Sequence, residues 1–363
     1  MKKLIIISLV LIGLILNACI ALKKTDIHSD KIRNQLISNE KIRKETPFIK
    51  REFNPYLEDK WIGQAISYGC YRKGQAPGAK GPSESEILED LEIITEHWNL
   101  IRVYNADDDT ERILKVIKKN QLPIKVMMGV WLAKEENDST STRNNIENSL
   151  RAIELAHEYR EILVAINVGN ETQVFWSGHK MKTENLIRYI RTVRNNTNLP
   201  VTTADDYNFW NKPESQKVAS EIDFIVTHIY PLWNGKKLEN AISWLDKNFN
   251  EVKKIHPDKD LVLGEIGWAT NYNSEKVGDG QQGTLIKGKV GIEPQGKFLI
   301  QLDKWINKTT TTTFLFEAFD EPWKGGGAQT GSNEIEKNWG VFYENRTPKK
   351  SFINFINYKN QKN

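Results

Sequence analysis

Eight short runs of apolar and β-branched residues, separated by longer amphipathic stretches, constrain this 363-residue chain more than any other feature. The runs are Ala65–Tyr68, Leu100–Tyr104, Ile124–Val130, Ile162–Val168, Pro200–Ala204, Phe224–Ile229, Leu261–Ile266 and Thr311–Phe316. They are continuously hydrophobic, the pattern of strands covered on both faces in a parallel sheet. Between them helices are expected at Ser83–Trp98, Asp109–Lys119, Asn144–Tyr159, Thr183–Arg194, Leu238–Ile255 and Gly296–Trp305, with a short one near Pro213–Ser220. Ser83 and Glu86 have the spacing of a capping box at the first of these. Asp107-Asp108-Asp109 places negative charge where a second helix starts and suits its dipole. This alternation predicts an α/β chain closed into a (β/α)8 barrel, a single catalytic domain over residues 61–357. No glycine-rich dinucleotide fingerprint follows the first run, and Gly325-Gly326-Gly327 lacks the ending of a phosphate loop, so no cofactor is expected.

The two ends read differently. Lys2-Lys3, the apolar run Leu4–Leu16 and the small residue Ala18 form a secretory signal over residues 1–18, too short for a comfortable membrane span. Leu16-Asn17-Ala18-Cys19 resembles the lipobox of bacterial lipoproteins, which implies that Cys19 becomes the acylated first residue and anchors the protein to a membrane. Residues 19–60 are charged and aperiodic and are read as a tether; residues 358–363 are read as a polar tail. No acidic run follows Cys19, so a periplasm-facing outer-membrane anchor is expected before a cell-surface one. Acylation of Cys19 leaves Cys70 without a partner, as a small buried residue.

The formal charge is +4, from 51 basic and 47 acidic residues, and Lys2 and Lys3 would leave with the signal. No concentrated basic stripe exists, so nucleic acid is not an expected partner. A monomer is expected. His97, His157 and His256 have no partner at metal-ligand spacing, so no metal is expected either.

In a (β/α)8 barrel, functional groups sit at the C-terminal ends of the strands. The fourth run closes on Asn167-Val168-Gly169-Asn170-Glu171 and the seventh on Gly264-Glu265-Ile266-Gly267-Trp268. A glutamate closing a buried strand is costly unless it is paired or used. Two of them on these strands would face each other across the barrel mouth, as a retaining glycosidase requires. Burial and neighbouring negative charge would keep the acid protonated. The second run closes on Arg102-Val103-Tyr104. The sixth closes on His228-Ile229-Tyr230, where His228 either lines the cleft or is a hydrogen-bonded core residue. The eighth closes on Phe316-Glu317-Ala318-Phe319-Asp320-Glu321-Pro322-Trp323-Lys324.

Those three long blocks, with Ile66-Ser67-Tyr68-Gly69 and the Arg102 strand, resemble glycoside hydrolase family 17, the β-1,3-glucanases within the clan of retaining (β/α)8 glycosidases. The resemblance covers about Trp61 to Tyr343. It implies β-glucan as substrate, Glu171 as acid/base, Glu265 as nucleophile, Asn170 bonding the sugar 2-hydroxyl, and Tyr230 holding Glu265. It also implies supporting or substrate-binding roles for Tyr68, Arg102, Tyr104, Glu317, Glu321 and Lys324. Trp131, Trp176, Trp268 and Trp323, among 11 tryptophans, are candidate sugar platforms. Around the nucleophile the plant members usually read Ser-Glu-Ser-Gly-Trp-Pro-Ser, whereas this chain reads Gly264-Glu265-Ile266-Gly267-Trp268-Ala269-Thr270. The nucleophile is kept, and the departure weakens the transfer of plant-type cleft architecture, and so of endo action. A glucan transglycosylase uses the same residues, and a non-catalytic glycan-binding lipoprotein is the reading from another class.

Overall fold

The computed structural model describes residues 28–38, 41–135, 139–273, 285–327, 330–332 and 334–361. Cys19 and the expected signal lie outside the described residues. Among the described residues no helix is long and apolar enough to cross a membrane. Residues 28–37 form a helix within a unit that ends at Lys44, and Glu45–Asn363 forms the second unit.

Within the second unit eight strands close a parallel barrel. They are β1 Gln64–Ser67, β2 Leu100–Val103, β3 Lys125–Val130, β4 Leu163–Asn170, β5 Val201–Asp206, β6 Ile225–His228, β7 Leu261–Ile266 and β8 Thr313–Leu315, and β8 pairs back onto β1. The helices are α1 Glu84–Thr95, α2 Asp108–Asn120, α3 Ser139–Glu158, α4 Thr183–Asn195, α5 Leu238–Ile255, α6 Ile292–Thr309 and α7 Lys350–Asn360. Short helical turns at Tyr207–Trp210, Pro213–Ser215 and Gln216–Ala219 replace a long helix after β5. Ser83 caps α1 reciprocally with Glu86, and Asp107 caps α2 through the Thr110 amide, so the start signals in the sequence act locally.

The barrel interior is built in layers. Ala65, Leu100, Met127, Ala165, Ala204, Val226, Val262 and Phe314 form one apolar layer. Side chains alternate along a strand, so two residues onward Arg102 and His228 point into the mouth above that layer. Ladder registers shift at Asn167/Asn170, at Thr227/His228 and at Thr313/Leu315. Another lies near the start of β3, at Val126/Met127; those at Asn167/Asn170 and Thr227/His228 fall at C-terminal ends, where they re-aim side chains.

Two expected boundaries are corrected. The part of the tether from Glu45 to Lys60 is packed structure. The Arg51 amide donates to Asp223 at 2.7 Å and its guanidinium donates to the carbonyls of Thr197, Leu199 and Arg194. Phe53 stacks on Phe224 at 4.6 Å, and Leu57 packs on the same layer. Such contacts join residues far apart in sequence and leave no periodic signal. Tyr358 to Asn360 likewise are not tail but the last turn of α7, which docks through Phe352 onto Trp98 at 5.3 Å. Asparagines and lysines on the outer face of α7 hide its apolar side.

Below the mouth, Asp90 of α1 is wholly buried. It accepts from Arg346 through both carboxylate oxygens at 2.7 and 2.6 Å, from Arg72 at 2.6 Å and from Tyr68 at 3.0 Å. Without Arg346 the buried Asp90 charge would rest on Arg72 and Tyr68 alone, and breaking a buried pair is strongly destabilising. Arg346→Ala is therefore expected to destabilise the fold by about 3 kcal/mol, read as a lower urea midpoint with an unchanged slope.

Candidate active site

Glu171 stands two residues after Gly169, which adopts φ +82°, and itself adopts φ +51°. A side chain there costs roughly 1–2 kcal/mol, and the turn is held because the Glu171 amide donates to the Ala204 carbonyl of β5 at 2.9 Å. Glu265 lies in β7. Its Oε1 accepts from Arg102 at 2.7 Å and its Oε2 from the Tyr230 hydroxyl at 2.8 Å. Arg102 is fully buried; its other terminal nitrogen donates to Asn170 Oδ1 at 2.6 Å, and the Tyr104 ring lies 4.6 Å from its guanidinium. Arg102 thus fixes the orientation of Glu265 and of Asn170 together.

His228 spans the two glutamates. Its Nδ1 is 3.1 Å from Glu171 Oε1 and its Nε2 is 3.4 Å from Glu265 Oε1. The ring needs Gly264 beneath it, because a Cβ there would meet Val226 Cγ1 at 2.2 Å and His228 Cδ2 at 3.1 Å. One carboxylate oxygen of each glutamate and one His228 nitrogen lie within 4.8 Å of one another. These three could ligate a metal, but the Arg102 guanidinium already occupies Glu265 Oε1 at 2.7 Å. Direct attack by one carboxylate needs the pair roughly 5–5.5 Å apart, against about 6.5–9.5 Å when a water must fit between. The facing oxygens of Glu171 and Glu265, no more than 4.8 Å apart, put the pair towards the short end of this range.

The two glutamates are driven apart electrostatically. Burial, then the charge of Glu265, pushes Glu171 well above the ordinary carboxyl range, with Arg102 opposing. Burial also works to raise Glu265, but His228, Arg102 and the Tyr230 hydroxyl outweigh it and hold it below its ordinary value. Burial lowers His228 itself to about 4, so the imidazole is neutral at neutral pH and Arg102 supplies the fixed positive charge. One carboxyl keeps its proton while its neighbour is ionised, the division of labour of an acid and a nucleophile.

The block after β8 forms a packed cluster beside the pair. Lys324 Nζ lies 2.6 Å from Glu317 Oε2 and 2.6 Å from Glu321 Oε2, and 4.4 Å above the Phe316 ring. Glu321 also accepts from the Trp323 indole at 2.8 Å, and Gly69 makes room for it, since a Cβ there would lie 2.1 Å from Glu321 Oε1. Burial raises Glu317, while Lys324 helps hold Glu321 low against its own burial.

The tryptophans divide. Trp131 and Trp176 are exposed, 36% and 42%, on the loops after β3 and β4, and Trp323 is half-buried against Tyr71. Trp268 corrects the expectation of a platform. It is 1% exposed, its indole donates to the Lys289 carbonyl at 3.0 Å, and its ring lies against Phe298. Tyr68, expected to bind substrate or to support the site, faces out of the barrel one residue past Ser67 and donates to Asp90, which leaves it a supporting part. Lying inside a motif did not tell which face of the strand end a residue takes. Two residues near the site escaped the sequence reading. Glu336, pushed up to about 7 by burial, acts electrostatically on both Glu171 and Glu265. His179, on the loop after Glu171, contacts both Trp131 and Asn170. Their positions after β8 and β4 were the available signals.

Residues 65–340 match the model of the BtgE/BtgC glycoside hydrolase domain. The chain belongs to this family. The BtgE/BtgC domain here takes in all of the eight strands but the first residue of β1, and every residue placed around Glu171 and Glu265. The chain is 30% identical over 276 residues to the btgC protein of Aspergillus niger, covering 72% of this chain and 38% of that one. It is 24% identical over 281 residues to the glucan endo-1,3-beta-glucosidase btgC of Emericella nidulans, covering 74% and 42%. The chain thus spans about two fifths of the length of these curated relatives. An endo-laminarinase from Formosa has a similar fold, with TM-score 0.69 and 23% identity over 82% of this chain and 88% of that one. So does a glycoside hydrolase family 17 beta-1,3-glucanosyltransferase from Rhizomucor miehei, with TM-score 0.63 and 20% identity over 79% and 96%.

Proposed function

We propose that this protein is a retaining hydrolase of β-1,3-glucan, exported and held at a membrane through Cys19. The observation that carries the reaction is the short, oppositely tuned pair Glu171 and Glu265. Glu171 protonates the leaving oxygen while Glu265 attacks the anomeric carbon. Glu171 then takes the proton of the water that releases the sugar. Arg102 and Tyr230 hold Glu265 at both oxygens. Arg102 also occupies the Asn170 carbonyl oxygen, so the amide nitrogen is the end of that side chain offered to the sugar 2-hydroxyl.

The linkage is supported by the names of the relatives and by family membership. Laminarin, a mixed-linkage glucan and cellulose, incubated with the purified protein and followed by reducing ends and product sizes, test it. Product from laminarin alone is expected; product only from cellulose would overturn the linkage. Transfer in place of hydrolysis is the second reading. It is favoured by the exposed aromatics Trp131, Phe175 and Trp176 on the loops beside the acid, where an acceptor sugar can stack. Products longer than the starting oligosaccharide would identify it. The anchor is tested by labelling cells with a fatty acid. Label on the native chain, and its loss with release to the soluble fraction in Cys19→Ala, is expected.

A further inference from the structure

His179 lies on the loop after β4, half-buried, with its two faces committed to different parts of the mouth. Its Nε2 is 2.7 Å from the backbone carbonyl of Asn170. A carbonyl only accepts, so Nε2 carries the proton and the tautomer is fixed. Burial keeps the ring neutral by lowering its pKa. The Trp131 ring lies 4.9 Å away, tilted by 44°. Trp131 is itself tied down through its backbone, its amide to Asn105 at 3.2 Å and its carbonyl to Asn148 at 3.0 Å.

The peptide unit between Asn170 and Glu171 is therefore held at both ends. Its N–H reaches the Ala204 carbonyl and its C=O receives the His179 N–H. That unit sets the direction of Glu171, whose backbone stands in the left-handed region and persists only because its surroundings hold it. Trp131 begins the loop after β3, the strand beside β4 on the side away from β7. This is the half of the mouth belonging to the acid, where the leaving group of a glycosidic bond must sit.

We propose that His179 is a positioning residue that couples the exposed ring of Trp131, as a platform for the leaving-group sugar, to the backbone aiming the acid proton of Glu171. A sugar stacked on Trp131 bears on the His179 ring, and the ring's hydrogen bond is to the peptide on which Glu171 turns. The proposal rests on the glycosidase reading above. It makes His179 matter most for substrates that need the acid and least for those that do not.

The full-length protein, His179→Phe and His179→Gln are compared on laminari-oligosaccharides and on a dinitrophenyl β-laminaribioside, whose leaving group departs without protonation. His179→Phe keeps an aromatic ring under Trp131 and removes the N–H. It is expected to lose about tenfold or more in kcat/KM on the oligosaccharides, on the scale of a small misplacement of a catalytic group, and less than about threefold on the aryl substrate. With Glu171 less firmly held, its carboxyl gains water, so the alkaline limb of the pH profile moves down. His179→Gln restores an N–H and is expected to recover the limb while raising KM for longer oligosaccharides. Equal losses on both substrates with an unmoved limb would overturn the proposal. A wild-type protein inactive on every substrate would overturn the reading beneath it instead.

Discussion

Glu265→Ala is expected to lower turnover on laminarin by roughly 10⁴-fold or more, the scale on which losing a covalent nucleophile acts. The fold is expected to survive, because the position is 6% exposed at the rim of the apolar core and alanine adds no volume. It does leave the buried Arg102 without its Glu265 ion-pair partner, so a fall in thermal stability accompanies the loss. Azide added to this variant tests the assignment directly. The small anion enters the vacated space and attacks the anomeric carbon from the nucleophile's side, giving a glycosyl azide of inverted configuration. Formation of that product, with partial recovery of rate, is expected. A variant that keeps wild-type turnover would remove Glu265 from the mechanism.

Glu171→Ala is expected to cost about 10²–10⁴-fold on laminari-oligosaccharides, the usual contribution of a general acid. On the aryl substrate the first step should survive, because its leaving group needs no proton. The second step then slows, for want of a base to activate water, and the glycosyl-enzyme accumulates as a burst. On the proposed mechanism, activity requires Glu171 protonated and Glu265 ionised. Glu171 is raised by burial and by Glu265, so the alkaline limb of kcat/KM should lie above the ordinary carboxyl range. Glu265 is lowered, so the acid limb should lie below it. Activity falls as pH rises past the first value and as it falls past the second. Loss of the alkaline limb in Glu171→Ala would assign it; an alkaline limb unchanged in that variant would give the role to another group, with Glu336 the first to test.

Most of the frame was legible because its signals are local. Leu261–Ile266 and Leu238–Ile255 were bounded correctly from apolar period alone, and the caps of α1 and α2 were written in Ser83, Glu86 and Asp107. The ends of β4 and β7 named Glu171 and Glu265 because a carboxylate closing a buried strand needs a reason. Legibility failed where a contact spans the chain. Arg51 bonds to Asp223, 172 residues away, and α7 covers Trp98 with an apolar face that polar neighbours conceal.

The sequence by itself determined the alternation, hence the barrel, and with it which strand ends to inspect for the chemistry. Periodicity and strand order are properties of neighbouring residues, and barrel closure brings strands four and seven to one mouth. Only the tertiary structure decided what each side chain at that mouth does. Trp268 and Tyr68 stand inside recognisable motifs, yet they point into the packing around Phe298 and Asp90. His228 reads equally as core or cleft, yet it spans Glu171 and Glu265 at 3.1 and 3.4 Å. Direction at a strand end depends on register shifts and on which glycine leaves room beneath a ring. Those are set by contacts among strands far apart in sequence, and no window along the chain contains them.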